Sequence, residues 1–110
     1  MSTRHVVLRN QHDADGGWRH LDATVTAKGD VCIEGQDVGD EVERLLGARE
    51  YEWAWTIRAQ HVPALLAALN ATDGVIAALK RRFSDDQAAG LKSFLDEHDI
   101  PHESWSRMGD

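Results

Sequence analysis

The chain has 110 residues, 42% of them apolar, which is the size and composition of one globular domain (residues 1–110) and not of a disordered segment. Its 12 basic residues against 19 acidic ones give a formal charge of −7, which argues against a general nucleic-acid binder and against docking on anionic membranes. A lone cysteine, Cys32, excludes an internal disulfide, and no signal-peptide core or membrane-length apolar run is visible, so a cytoplasmic setting is expected.

In chain order, His5 to Gln11 is predicted as a strand, with Val6 and Leu8 on one face and Val7 on the other. The run Asp13–Gly17 is a turn on composition, its glycines admitting positive φ. Trp18 to Thr26 reads as a second strand, Leu21, Ala23 and Val25 sharing one face and Asp22, Thr24 and Thr26 the other. Lys28-Gly29-Asp30 reverses the chain into Val31–Glu34, with Val31 and Ile33 inward, which makes an antiparallel meander.

The period then changes. Val38, Val42, Leu45 and Leu46 fall on one face of a short helix, with Asp40 as N-cap, Glu43 three residues on, and Gly47 as the left-handed terminator. A helix this short depends on packing against the sheet. In Glu50–Arg58 the period returns to two: Tyr51, Trp53, Trp55 and Ile57 alternate with Glu52, Ala54, Thr56 and Arg58, giving one apolar and one wet face. The aromatic face is expected to form part of the core.

Three helices are predicted next. Val62, Leu65, Leu66 and Leu69 form the first apolar stripe, with Pro63 tolerated in the first turn. Thr72 or Asp73 caps a second, striped by Val75, Ile76, Leu79 and Phe83, with Lys80, Arg81 and Arg82 complementing its dipole. Ser84-Asp85-Asp86-Gln87 reads as a capping box for a third, which buries Leu91, Phe94 and Leu95. Gly90 inside it suggests close approach to another element. Ile100-Pro101 stops the helix, and His102–Arg107 is a short edge strand with Trp105 its one large apolar side chain. The order β-β-β-α-β-α-α-α-β predicts an α+β fold: a mainly antiparallel sheet with helices on one face.

Chemistry-bearing patterns are sparse. His12, Asp13 and Asp15 crowd one turn, and His20 can approach them across the hairpin, making the best metal constellation and the basis of one reading, a small metal-assisted hydrolase. His98 and His102 are separated by the helix-breaking Pro101. Cys32 lies mid-strand, away from any helix N-terminus that would activate it. No phosphate-binding glycine loop or nucleophile elbow occurs, and no cofactor is implied.

The acidic run Glu34, Asp37, Asp40, Glu41, Glu43, Glu50 and Glu52 is either a solvated face or a surface for a basic protein. Trp105, if exposed, joins it as an anchor, as Trp is enriched at binding hot spots. Pairing of two copies through the edge strand His102–Arg107 is a further option.

Leu21-Asp-Ala-Thr-Val-Thr-Ala, Gly29-Asp-Val-Cys-Ile-Glu-Gly-Gln-Asp-Val-Gly39, Tyr51-Glu-Trp-Ala-Trp-Thr-Ile57, Val62-Pro-Ala-Leu-Leu66 and the ending Phe94-Leu…Ile100-Pro101…Trp105 together resemble a group of small bacterial proteins, chiefly actinobacterial, without an established activity. The group transfers no functional residue. In general character the chain is similar to immunity and antitoxin-like proteins. The reading that follows is a small acidic module that binds another protein, with Glu34, Asp37, Asp40, Glu41, Glu43, Glu52 and Trp105 as its candidate surface.

Overall fold

The alternating segments form the strands β1 (His5–His12), β2 (Trp18–Val25), β3 (Val31–Val38), β4 (Glu50–Ile57) and β5 (Glu103–Gly109) in a computed structural model that describes residues 4–14 and 16–109. The helices are α1 (Asp40–Leu46), α2 (Val62–Leu69), α3 (Val75–Arg82) and α4 (Leu91–Glu97), with short 3₁₀ pieces at Ala59–His61 and Asp85–Gly90. All neighbouring strands are antiparallel and stand in the sheet in chain order, β1-β2-β3-β4-β5. The fold is α+β, with α2, α3 and α4 packed on one face of the sheet. No helix among the described residues is long and apolar enough to cross a membrane.

Register and parity decide which side chains meet the helices. Val25, Ala23 and Leu21 of β2 stand opposite Val31, Ile33 and Gly35 of β3, and these stand opposite Ile57, Trp55 and Trp53 of β4. On that face Leu21, Ala23, Val31, Ile33 and Ile57 are buried against Leu65, Leu69, Ile76, Leu79, Phe83, Leu91, Phe94 and Leu95 from the helical side. In β1 the register shifts between Val7 and Arg9, and Leu8 is the extra residue. That bulge re-aims Leu8 into the core, where it is 2% exposed.

Trp53 and Trp55 face the helices but are only partly buried, packed at the margin of the core. Gly35 makes room for Trp53: a Cβ there would fall 2.2 Å from the ring carbon Cζ2, so the indole lies flat over the glycine. A large ring beside a bare backbone covers what glycine leaves open. At the opposite end of β4, buried Asp30 accepts from the Ala59 amide at 2.8 Å and from Arg58 Nη1 at 3.2 Å. Arg58 also donates to Glu103 at 2.8 Å, tying the starts of β3 and β5 to the end of β4.

Several local expectations change. Gly39 holds the cap position of α1, without a side-chain cap; Asp40 is the first helical residue and, with Glu43, receives Arg49 Nη1 at 2.5 and 3.1 Å. The helix buries no residue, and Leu45 is 70% exposed, so ion pairs and strand contacts hold it where sheet packing was expected. Gly47 does terminate it at φ 80°, its amide donating to the Glu43 carbonyl. Gly74, one residue past Asp73, caps α3, and Asp73 pairs with Arg81 at 2.8 Å. Ser84 makes no capping bond; its hydroxyl donates to the Lys80 carbonyl, and Asp85–Gly90 is 3₁₀ before α4 begins at Leu91. No atom of another element lies within 4 Å of a Cβ at Gly90, so no close approach explains that glycine.

Candidate functional site on the open sheet face

On β2 to β5 the side chains of opposite parity to the core set point away from the helices. Rows run across the strands: Asp22, Glu34, Ala54 and Trp105 form one, and His20, Gln36, Glu52 and Arg107 the next. Trp18, Val38 and Glu50 form a third. Of these, Trp18, His20, Asp22, Glu34, Gln36, Glu52, Ala54 and Trp105 line an open depression of about 580 Å³, bounded by Trp18 and Trp105 and floored by the small Ala54. The two tryptophans stand on strands three places apart, about 14 Å across the sheet, and in rows about 13 Å apart along the strands.

Trp18 is held in place. Its ring lies 6.1 Å from His12 and 5.2 Å from His20, and its Nε1 donates to Asn10 Oδ1 at 2.7 Å. Trp105 is 53% exposed on the edge strand. His20 Nδ1 is buried with no hydrogen-bond partner among the described residues, while Nε2 stands 3.9 Å from Asp22. Asp22 also receives His5 Nε2 at 2.7 Å.

The carboxylates are unevenly matched. Glu52 is paired with Arg107 at 3.2 Å, and Glu50 accepts from Gln36 at 2.5 Å. The hydrogen bond and charge of Glu52, together with desolvation, lift the Glu50 carboxyl above its ordinary range. Glu34 has only a Cys32 thiol contact at 3.5 Å and no basic partner among the described residues. It stands directly opposite Asp22, a like-charge cross-strand pair of the kind that destabilises a sheet. Burial and the Glu34 charge push the Cys32 thiol up, away from the thiolate that nucleophilic chemistry needs.

The acidic run thus divides three ways. Glu34, Glu52 and Trp105 meet at the depression. Asp37, an odd step from Glu34, faces the helix side opposite Tyr51 and Arg19, where burial raises its pKa against the pull of Arg19 and Arg9. Asp40, Glu41 and Glu43 lie on α1, engaged with Arg49, Arg19 and Arg44. Trp18, Asp22, Gln36 and Ala54 carry no site signal in the sequence beyond parity, and His20 enters there only as a metal candidate; each faces away from Leu21, Ile33 or Trp53 across the register.

Of the four residues of the metal constellation, His12 and His20 both point to the open face with the Trp18 ring between them. Asp13 is exposed in the turn, its amide donating to the Gly17 carbonyl at 2.8 Å, and Asp15 lies outside the described residues. Among the described residues no three His, Cys, Asp or Glu side chains gather in a way that would hold a metal ion. No family model, curated protein or solved structure matches the chain.

Proposed function

We propose that the protein is a non-enzymatic cytoplasmic module that binds another protein, gripping a basic segment of it on the open sheet face. The observation that carries this reading is the Asp22–Glu34 pair: two carboxylates set opposite each other, one without a cation among the described residues, in a depression flanked by two tryptophans. An arginine or lysine laid between them relieves the repulsion, and Trp18 or Trp105 offers a ring face to the same cation. The formal charge of −7 steers such a partner toward the protein. The likeness in type to immunity proteins gives the binding a purpose, the inhibition of a basic enzyme or toxin by occlusion. The metal-assisted hydrolase built on His12, Asp13, Asp15 and His20 has no comparable supporting geometry.

Amide and indole NMR spectra, recorded while short arginine-containing and glutamate-containing peptides are titrated in, test the reading. The expected result is saturable shifts on the open faces of β2–β5 with the basic peptide alone, weakened at least about tenfold by Glu34→Lys and by raised salt. Shifts confined to the helical side, or equal responses to both peptides, overturn it.

A further inference from the structure

The two edges of the sheet are finished differently. β1 carries a bulge at Leu8 and lies against α3 and the 3₁₀ helix at Asp85–Gly90, devices that keep an edge from pairing. β5 has neither. Its register with β4 is unbroken over Glu103–Gly109, Glu103 to Met108 are all exposed, and it contains no proline or lysine. Trp105 and Met108 on it are 53% and 57% exposed.

We infer that β5 pairs antiparallel with β5 of a second copy of this chain, about a two-fold axis at Trp105. The argument lies in the order Glu103-Ser104-Trp105-Ser106-Arg107, which is its own complement when read backwards. With Trp105 opposite Trp105, each Ser104 meets Ser106 of the other copy and each Glu103 meets Arg107 of the other copy, so no like charges oppose. Glu103, Trp105 and Arg107 share the open face with Thr56, Ala54 and Glu52, so the charge pairs and the two indoles align along one side of the junction. A two-fold interface requires just such self-complementarity, and a heterologous strand does not. Glu103 and Arg107 keep Arg58 and Glu52 as neighbours within their own chain, which extends each new pair into a four-charge row.

The product is a continuous ten-stranded sheet with one open face. The depression of each copy is bounded by Trp105, so the two binding surfaces lie side by side across the axis. This goes beyond the binding of a basic partner and does not depend on it.

Sedimentation equilibrium of the whole chain over a range of concentrations decides the matter. The expected weight-average mass rises toward twice the 12.2 kDa of one chain. Arg107→Glu sets Glu opposite Glu103 on both sides of the axis and weakens association at least about tenfold, while mixing that variant with Glu103→Arg, whose two arginines then oppose those glutamates, restores association with the contacts inside each chain unchanged by the mixing. Circular dichroism checks that each variant is folded. A monomer at every concentration, a dimer indifferent to Arg107→Glu, or a mixture of the two single variants that stays monomeric would each overturn the inference. Glu34→Lys separates the two proposals, because it removes basic-peptide binding and leaves the mass unchanged.

Discussion

Four tryptophans sit on one sheet, two on each face, and they do different work. On the helix side Trp53 lies over Gly35 between Tyr51 at 5.3 Å and Trp55 at 6.3 Å, a ladder of rings that closes the margin of the core. On the open side Trp18 is stacked between two histidines and tethered by Asn10, and Trp105 stands on the unpaired edge. Residue type is the same; the cross-strand neighbour decides. A glycine lets a ring collapse onto the backbone and become packing. Opposite Trp18 stand His12 and Val38, and opposite Trp105 stands the small Ala54, so neither ring has a bare glycine to lie on. Bulk on one face therefore serves stability, and bulk on the other is free for recognition.

The largest expected effect follows from that contrast. Trp53→Ala removes a packed, partly buried ring and should cost about 2–4 kcal/mol in urea unfolding, toward the lower part of the range for large-to-small changes because the site is not fully enclosed. Trp105→Ala should change the stability of the chain, measured dilute enough to be monomeric, by less than about 0.5 kcal/mol while abolishing the response to a basic peptide. Equal destabilisation by the two variants would erase the distinction between the faces.

Gly35→Ala sharpens it. The new methyl would fall 2.2 Å from the Trp53 ring, which is wedged between its neighbours and cannot swing freely. The expected loss is about 1–3 kcal/mol, as for other overpacked positions. In a Trp53→Ala background the same change should cost almost nothing. Strict additivity in that cycle would show that the ring and the glycine are independent.

Parity made much of this legible before any coordinates. The strands, the helical stripes and the wet and apolar faces of Glu50–Arg58 follow from periods of 2 and 3.6, which tertiary contacts rarely override when a whole segment agrees. What stayed hidden was cross-strand. A carboxylate run that looks continuous along the chain is split because Glu34 and Asp37 are an odd number apart and because the chain turns helical after Val38. The opposition of Asp22 to Glu34 needs the register of the β2–β3 hairpin, which the tight turn at Gly29 sets and composition alone does not. The helix ends were misjudged for a related reason: glycines at 39 and 74 supply backbone angles of φ 140° and 95° that outcompete the nearby polar caps.

A smaller effect tests the covered face by pH. Burial holds the Asp37 carboxyl above its ordinary pKa, despite Arg19 and Arg9. The folded chain therefore keeps that proton longer than the unfolded chain does. Stability falls as pH rises from the unfolded value, about 3.9, through the folded one, and above that the full penalty is present. Asp37→Asn should accordingly raise the melting temperature at neutral pH, with the gain vanishing below about pH 3.9. A variant that is destabilised at neutral pH would mean that the arginine pairs outweigh desolvation at this site.

The smallest effect concerns Ser84, where a capping box reads clearly in the sequence and is not made. If Ser84 capped the amide at Gln87, Ser84→Ala would cost about 1 kcal/mol. Its hydroxyl instead reaches back four residues to the Lys80 carbonyl, at the C-terminal end of α3, while the Gln87 amide is satisfied by the Ser84 carbonyl at 3.1 Å. A serine bonded to the i−4 carbonyl contributes little, because that carbonyl can turn to water when the hydroxyl is gone. Nor does the 3₁₀ stretch Asp85–Gly90 depend on a side-chain acceptor at its start, since a main-chain bond already closes its first turn. Ser84→Ala should thus shift stability by less than about 0.5 kcal/mol, with an unchanged denaturant slope. A loss near 1 kcal/mol would show that in solution the side chain turns round and caps after all, and that the helical run begins at Asp85 without the 3₁₀ break.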